Sequence, residues 1–222
     1  MGKSRWRCGA NARERKIAMK LEKYSMSFTT GTLFHQESVN IAQLFLEHND
    51  WNAVRDVALS QNILQARTHN TAKRVSSEIC SRLKTLNDLE LNLLVNGTII
   101  EQGYLLWLAV CRRYKFIADF ATEIIHEHYI SLNSCLQYSD FDSFFNSKSE
   151  WHTEIEGIAS STRSKLRQVV FKMLREAGLL TKDNTIVAAI FTSQFLDAIS
   201  RSDKADVKLF PVFDTEVMRY IG

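Results

Sequence analysis

Apolar residues along most of this chain recur at intervals of three and four, the spacing that lays one stripe along a helix. One stretch is denser. Residues 104–111 read YLLWLAVC, apolar on every side of a helix; Arg112 and Arg113 then interrupt, and Phe116, Ile117 and Phe120 resume at helical spacing. A helix apolar all round is buried on all sides. The run is far short of the ~20 residues that span a bilayer. It predicts a core helix, continuing to about residue 129, against which the other elements pack.

The remaining pattern reads as a series of amphipathic helices. Residues 25–31 (SMSFTTG) form an extended or turn segment before a helix that begins near Thr32 or Ser38 and ends near Asn49. Asp50 caps a second helix over 51–60, because its carboxylate can accept from the free amides of the first turn. Asn70 or Thr71 caps a third that reaches about Leu86. A short helix covers 88–95 and closes at Asn96-Gly97. Ser139 or Asp140 opens one over 138–151, with Phe141, Phe144 and Phe145 on its apolar face. Ser160 or Ser161 opens another, ended by Gly178 in a left-handed conformation. Residues 179–181 and 185–188 flank a Lys182-Asp183-Asn184 turn and read as a hairpin. A last helix spans about 192–202, and 207–222 reads as a terminal strand or docking element.

Only eight Gly and one Pro punctuate this pattern. The predicted fold is therefore mainly α, a helical bundle with helix-turn-helix character and a small β-hairpin wing near 179–188. Four regions follow: a basic flexible tail (1–22), an N-terminal helix-turn-helix-like region (23–100), a central helical core (101–150) and a C-terminal winged-helix-like region (151–222).

Two of the helices are basic on the face away from their stripe. On the third, Ala72, Val75, Ile79, Leu83 and Leu86 make the stripe, and Lys73, Arg74, Ser77, Ser81 and Lys84 lie opposite. Small hydroxyls between cations let a helix approach a phosphate backbone closely. On the helix over 161–177, Leu166, Val169, Val170, Met173, Leu174 and Ala177 form the stripe. Ser164, Lys165, Gln168, Phe171, Lys172 and Arg175 lie away from it. With the hairpin behind, this unit resembles the recognition helix and wing of a winged helix-turn-helix domain. In that arrangement Ser161, Thr162, Arg163, Ser164, Lys165 and Gln168 face the major groove, and Lys182 reaches a phosphate.

Net charge is only +3, but it is uneven. Residues 1–23 hold eight Lys/Arg against Glu14 and Glu22, a local +6, which leaves about −3 elsewhere. Such an arm could touch phosphate; it could equally be an upstream extension, with Met19 as the natural start. The cysteines at 8, 80, 111 and 135 show no metal spacing, and His126 and His128, two apart, point to different sides of a helix. No phosphate-loop, dinucleotide, nucleophile-elbow or zinc-protease motif is present. The expectation is a reduced, cytoplasmic, non-enzymatic protein with no cofactor, no metal and no membrane segment.

Five runs carry a family resemblance: KYSMSFTTG (23–31), DWNAVRD (50–56), LLWLAVCRRYKFIADF (105–120), FDSFFNSKSEWH (141–152) and STRSKLRQVVFKMLREAGLL (161–180). The chain resembles the BrxA family, small helical proteins of bacterial BREX phage-defence systems. That resemblance implies a mainly helical, cytoplasmic, non-enzymatic defence component. It also implies double-stranded DNA as a partner, other BREX proteins as further partners, and a likeness to the RNA-binding bundle NusB. Three functions therefore compete. A duplex DNA binder uses both basic helices with weak sequence preference. A NusB-like RNA binder would stack bases on Phe171. An adaptor for larger defence subunits would expose an aromatic patch within 138–151.

Overall fold

Capping chemistry sets most helix boundaries in the computed structural model, which describes residues 23–200, 204–213 and 215. The reading of residues 1–22 as a tail lies outside them. A 3₁₀ turn, Phe28–Thr30, passes through Gly31 at φ 62° into α1, His35–His48. Asp50 caps α2, Trp51–Ser60, by accepting from the Asn52 amide. Helix α3, His69–Leu83, starts earlier than the pattern predicts: Thr68 is the cap, accepting from the Thr71 amide. It also ends earlier, because the amides of Thr85 and Leu86 bond three residues back, to Arg82 and Leu83.

Two reciprocal capping boxes follow, Asn87 with Glu90 and Thr98 with Glu101. They open α4, Asp88–Asn96, and α5, Ile99–Arg113. Helix α5 is the expected spine. Every residue over 103–111 is buried, and the Trp107 indole donates to the Leu209 carbonyl at 2.9 Å. The spine does not run on unbroken. Tyr114 leaves helical geometry at φ −125°, ψ 94°, and α6, Lys115–Phe120, sets off afresh. A π-helical turn, Ala121–His126, joins it to α7, Glu127–Ile130. The break buries the Tyr114 ring and brings its hydroxyl to Glu78 on α3.

Helix α8, Tyr138–Ser149, is opened by Gln137, with Asp140 at its third position rather than as the cap. Phe141, Phe144 and Phe145 are buried against Phe116 at 5.1–5.9 Å between ring centres. After the single turn α9, Thr153–Glu156, comes α10, Ser160–Glu176. Its cap position is Ala159, not Ser160 or Ser161. Gly178 adopts φ 74° as predicted. The Leu179 amide then reaches the Leu174 carbonyl and the Gly178 amide reaches Arg175, the paired bonds of a Schellman stop.

The expected wing at 179–188 is not shown as a pair of strands. The segment turns back on itself, the Thr181 amide donating to the Thr185 carbonyl and the Val187 amide to the Leu179 carbonyl, with isolated bridges of Leu180 with Ile186 and Cys135 with Thr185. Ile186 donates to the Ser134 carbonyl, so the segment is shared with a neighbouring loop instead of projecting as a ribbon. Helix α11, Ser193–Ser200, and a 3₁₀ helix, Lys204–Leu209, complete the order. The described part of the terminal segment holds no strand; the Ala189 amide donates to the Pro211 carbonyl there.

One hydrophobic cluster extends from Tyr24 to Val212. Within it Arg112 makes a paired contact to Glu90 at 2.7 and 2.8 Å and reaches Asp206 at 2.6 Å. A side chain at Gly103 would put its Cβ 3.3 Å from the Ala177 backbone, so α5 and the end of α10 meet main chain to main chain.

Candidate nucleic-acid interface

The stripe of α3 turns Ala72, Ile79 and Leu83 inward, and its polar face therefore opens outward. Lys73, Arg74, Ser77 and Ser81 line one concavity of about 630 Å³ on that face. Arg55 reaches it from α2, Arg113 from the end of α5, Ser27 from just before the 28–30 turn and Thr29 from within it. Lys84 does not join them: its ammonium lies 5.9 Å from the Trp51 ring centre.

What distinguishes this concavity is uncompensated charge. Among the described residues, Arg55, Lys73, Arg74 and Arg113 have no carboxylate within the 4.0 Å of an ion pair. Arg113 is steadied only by its own ring neighbour, Tyr114, at 5.1 Å, and by a long contact of 3.4 Å to the Ser81 hydroxyl. One acid, Glu78, lines the same wall. Its Oε1 accepts from the Arg82 Nε at 2.7 Å and from the Tyr114 hydroxyl at 2.5 Å. Arg82 also donates to the Thr32 carbonyl. Glu78 is thus offset by a buried cation of its own. Burial first, and the bond to Glu78 second, push the Tyr114 phenol up to about 12. Arg113 also lines an adjoining recess with Lys23, Ser25, Arg112 and Lys115, which extends the basic surface past α5.

The second basic helix is built differently. Arg163 donates to the Asp142 carboxylate at 3.1 Å, to the Asp142 carbonyl and to Asn146, and stands 4.8 Å from the Phe145 ring. Arg167 shares Asp142. Lys172 lies 3.7 Å from Glu176, and Arg175 donates to Asn184. These groups tie α10 to α8 and to the 181–185 turn. Thr162, Lys165, Gln168 and Lys182 are exposed and Ser164 partly so, but none lines the α3 concavity. Phe171, read as exposed from its position on the helix, is fully buried under Tyr138 at 4.7 Å. Helix α10 packs instead against the 28–30 turn that lends its hydroxyls to the concavity.

Arg55 and Arg113 were not legible as site residues. No spacing along the chain links α2 to α3, and Arg113 reads as the end of an apolar run. The one available signal is a pair of arginines closing a helix that is otherwise wholly buried, since each needs a destination. Arg112 finds carboxylates; Arg113 finds open surface.

The aromatic patch expected within 138–151 is mostly internal; Tyr138 and Trp151 alone among its rings are exposed. Exposed aliphatics gather elsewhere, at Ile99 (78%), Ile100 (61%) and Ile190 (78%), around a groove of about 640 Å³ at the start of α5. Glu101 lies beneath it, and bonds from the Thr192 hydroxyl and the Thr98 amide hold its carboxyl below the usual range. His126 is buried, its Nδ1 3.1 Å from the Phe210 carbonyl. Among the described residues no three metal-ligating side chains converge, and no helix is long and apolar enough to cross a membrane.

A family model described as BrxA matches residues 22–203. The BREX protein BrxA of Escherichia coli O9:H4 (strain HS) is 30% identical over 148 residues, 67% of this chain and 70% of that protein. The BREX protein BrxA of Bacillus cereus (strain H3081.97) is 28% identical over 127 residues, 57% of this chain and 64% of that one. In fold, the chain is similar to the crystal structure of an uncharacterized protein from Magnetospirillum magneticum. That likeness has a TM-score of 0.74 at 19% identity and covers 86% of this chain and 98% of that one.

Proposed function

The chain belongs to the BrxA family, and from that premise we propose that it is a non-enzymatic BREX component that binds double-stranded DNA in the cytoplasm. The α3 concavity is the contact surface. One observation carries the reading: four cations without carboxylate partners share one wall with three serines and a threonine. Groups of this kind meet phosphates and leave the bases unread, so sequence preference is weak. The exposed residues of α10, Lys165 foremost, add contacts at the margin. The RNA alternative loses its stacking residue with the burial of Phe171.

A mobility shift with matched duplex DNA, single-stranded DNA and hairpin RNA, each at low and moderate salt, tests the assignment. Duplex binding that weakens with salt and disappears in Lys73→Glu with Arg74→Glu is the expected result. Duplex binding at full strength in that double variant refutes it.

The adaptor reading has its own observation, the exposed isoleucines of the α5 groove. Their exposed area is on the order of 400 Å², about half the ~800 Å² per partner of a standard stable interface. That suits a short apolar segment of another BREX protein better than a second copy of this chain. Ile99→Glu with Ile190→Glu should then abolish co-purification with one co-expressed BREX protein and leave duplex binding unchanged. A homodimer dissolved by the same substitutions would contradict it.

A further inference from the structure

We propose that the α3 concavity is also a binding site for a compact polyphosphate anion, the linear triphosphate of a free nucleotide. The inference rests on reading its four cations as an anion site, and it stands or falls separately from duplex binding.

Size comes first. At about 630 Å³ the space lies inside the range of small-molecule sites, ~300–1,000 Å³. Charge decides what fills it. A recess of this volume is about 9 Å across, and one DNA strand brings a charge every ~3.4 Å of axis, so a duplex presents two or three phosphates to it. A free triphosphate gathers about four charges, one on each inner phosphate and nearly two on the last. Four guanidinium and ammonium groups face that ligand, and Glu78 is already offset by Arg82. The triphosphate thus matches the wall more fully than a passing strand does.

The neutral groups agree. Ser27 and Ser77 bring hydroxyls between the cations, while the Ser81 hydroxyl donates to the Glu78 carbonyl at 2.9 Å. Arg55 and Arg113 are partly buried, which strengthens a charge-assisted bond over one made in open water. Glu78 uses only Oε1 for its protein partners, so Oε2 remains as an acceptor for a hydroxyl next to the phosphates, such as a ribose 2′- or 3′-hydroxyl. Among the described residues no aromatic side chain lines the concavity, so none of them grips a base. The site should read the phosphate chain and ignore which nucleoside carries it.

Calorimetric titration of the full chain with inorganic triphosphate, ATP and GTP tests this, with Arg113→Gln and Arg74→Gln as variants and Lys208→Gln, exposed on the 204–209 turn, as the control outside the concavity. Saturable binding is expected for all three, with ATP and GTP within about threefold of each other. Each concavity variant should weaken binding by about tenfold or more, as for loss of a charge-assisted hydrogen bond. The control should bind as wild type. Thermal melts without ligand show that the variants fold. No binding of triphosphate or nucleotide at millimolar concentration overturns the proposal, and duplex binding in the same sample then leaves the DNA reading standing. Binding untouched by both variants places the anion elsewhere and equally overturns it. Strong preference for one base over the other refutes a site that holds only phosphates. Triphosphate binding without duplex binding supports the proposal and removes the DNA reading.

Discussion

Replacing Arg113 by Gln removes one charge from the concavity and keeps a hydrogen-bonding side chain beside Ser81 and Tyr114. The salt dependence of duplex binding measures the consequence. If the concavity takes three phosphates of a duplex, log K falls against log salt with a slope of about −2.7, since each contact contributes about −0.9. Raising salt from 50 to 200 mM then weakens the wild type by roughly 40-fold. Loss of the Arg113 contact leaves about −1.8, and the same change weakens the variant by roughly 12-fold. Cations outside the four raise both slopes alike, so the difference of about 0.9 is the quantity of interest. Fluorescence anisotropy on a labelled duplex across a potassium chloride series reads it directly. An unchanged slope for Arg113→Gln would show that this guanidinium meets no phosphate and would refute the concavity as the contact surface.

Other expectations concern the frame around the site. Arg163→Gln should lower the melting temperature but change duplex affinity little, because Asp142, Asn146 and Phe145 already occupy that guanidinium. Arg112→Met removes the counter-charge of Glu90, whose side chain is wholly buried, and should cost about 3–5 kcal/mol in denaturant unfolding. Gly103→Ala forces a methyl against the Ala177 backbone and should cost about 1–3 kcal/mol in the same assay. Thr192→Val removes the main bond that keeps the Glu101 carboxyl below its usual range. A lowered folded-state pKa gives stability at neutral pH that is lost as pH falls through it. The Thr192 hydroxyl also accepts from the Phe195 amide, a contribution that does not change with pH, so the melting difference between wild type and Thr192→Val should be largest near neutrality and narrow in acid; a difference constant with pH would contradict the cause assigned.

Local chemistry made much of the fold legible. Asp50 and Gly178 are where they should be because a cap and a left-handed stop depend on a few neighbouring residues. The spine was legible because only a buried helix tolerates eight apolar residues in a row. The break at Tyr114 was not, since it depends on Glu78, 36 positions away, accepting the phenol hydroxyl. The site divides in the same way. The α3 cations could be found by periodicity, and the structure leaves them open. The α10 cations followed the same periodicity, but Asp142, on another helix, takes Arg163 and Arg167. Periodicity shows which residues face away from a stripe; it cannot show what another element brings to meet them. Phe171 failed for that reason, because Tyr138 covers it.

Helix α5 carries the isoleucines at its first turn and Arg113 at its last, and everything over 103–111 is locked in the core. Fourteen residues at ~1.5 Å each set these two ends about 21 Å apart. The spine is in effect a fixed ruler. If the proposed segment sits at one end and the proposed duplex at the other, about six base-pair steps, at ~3.4 Å each, separate them. On that proposal, a partner seated on Ile99 lies too far along the helix to touch the phosphates at Arg113.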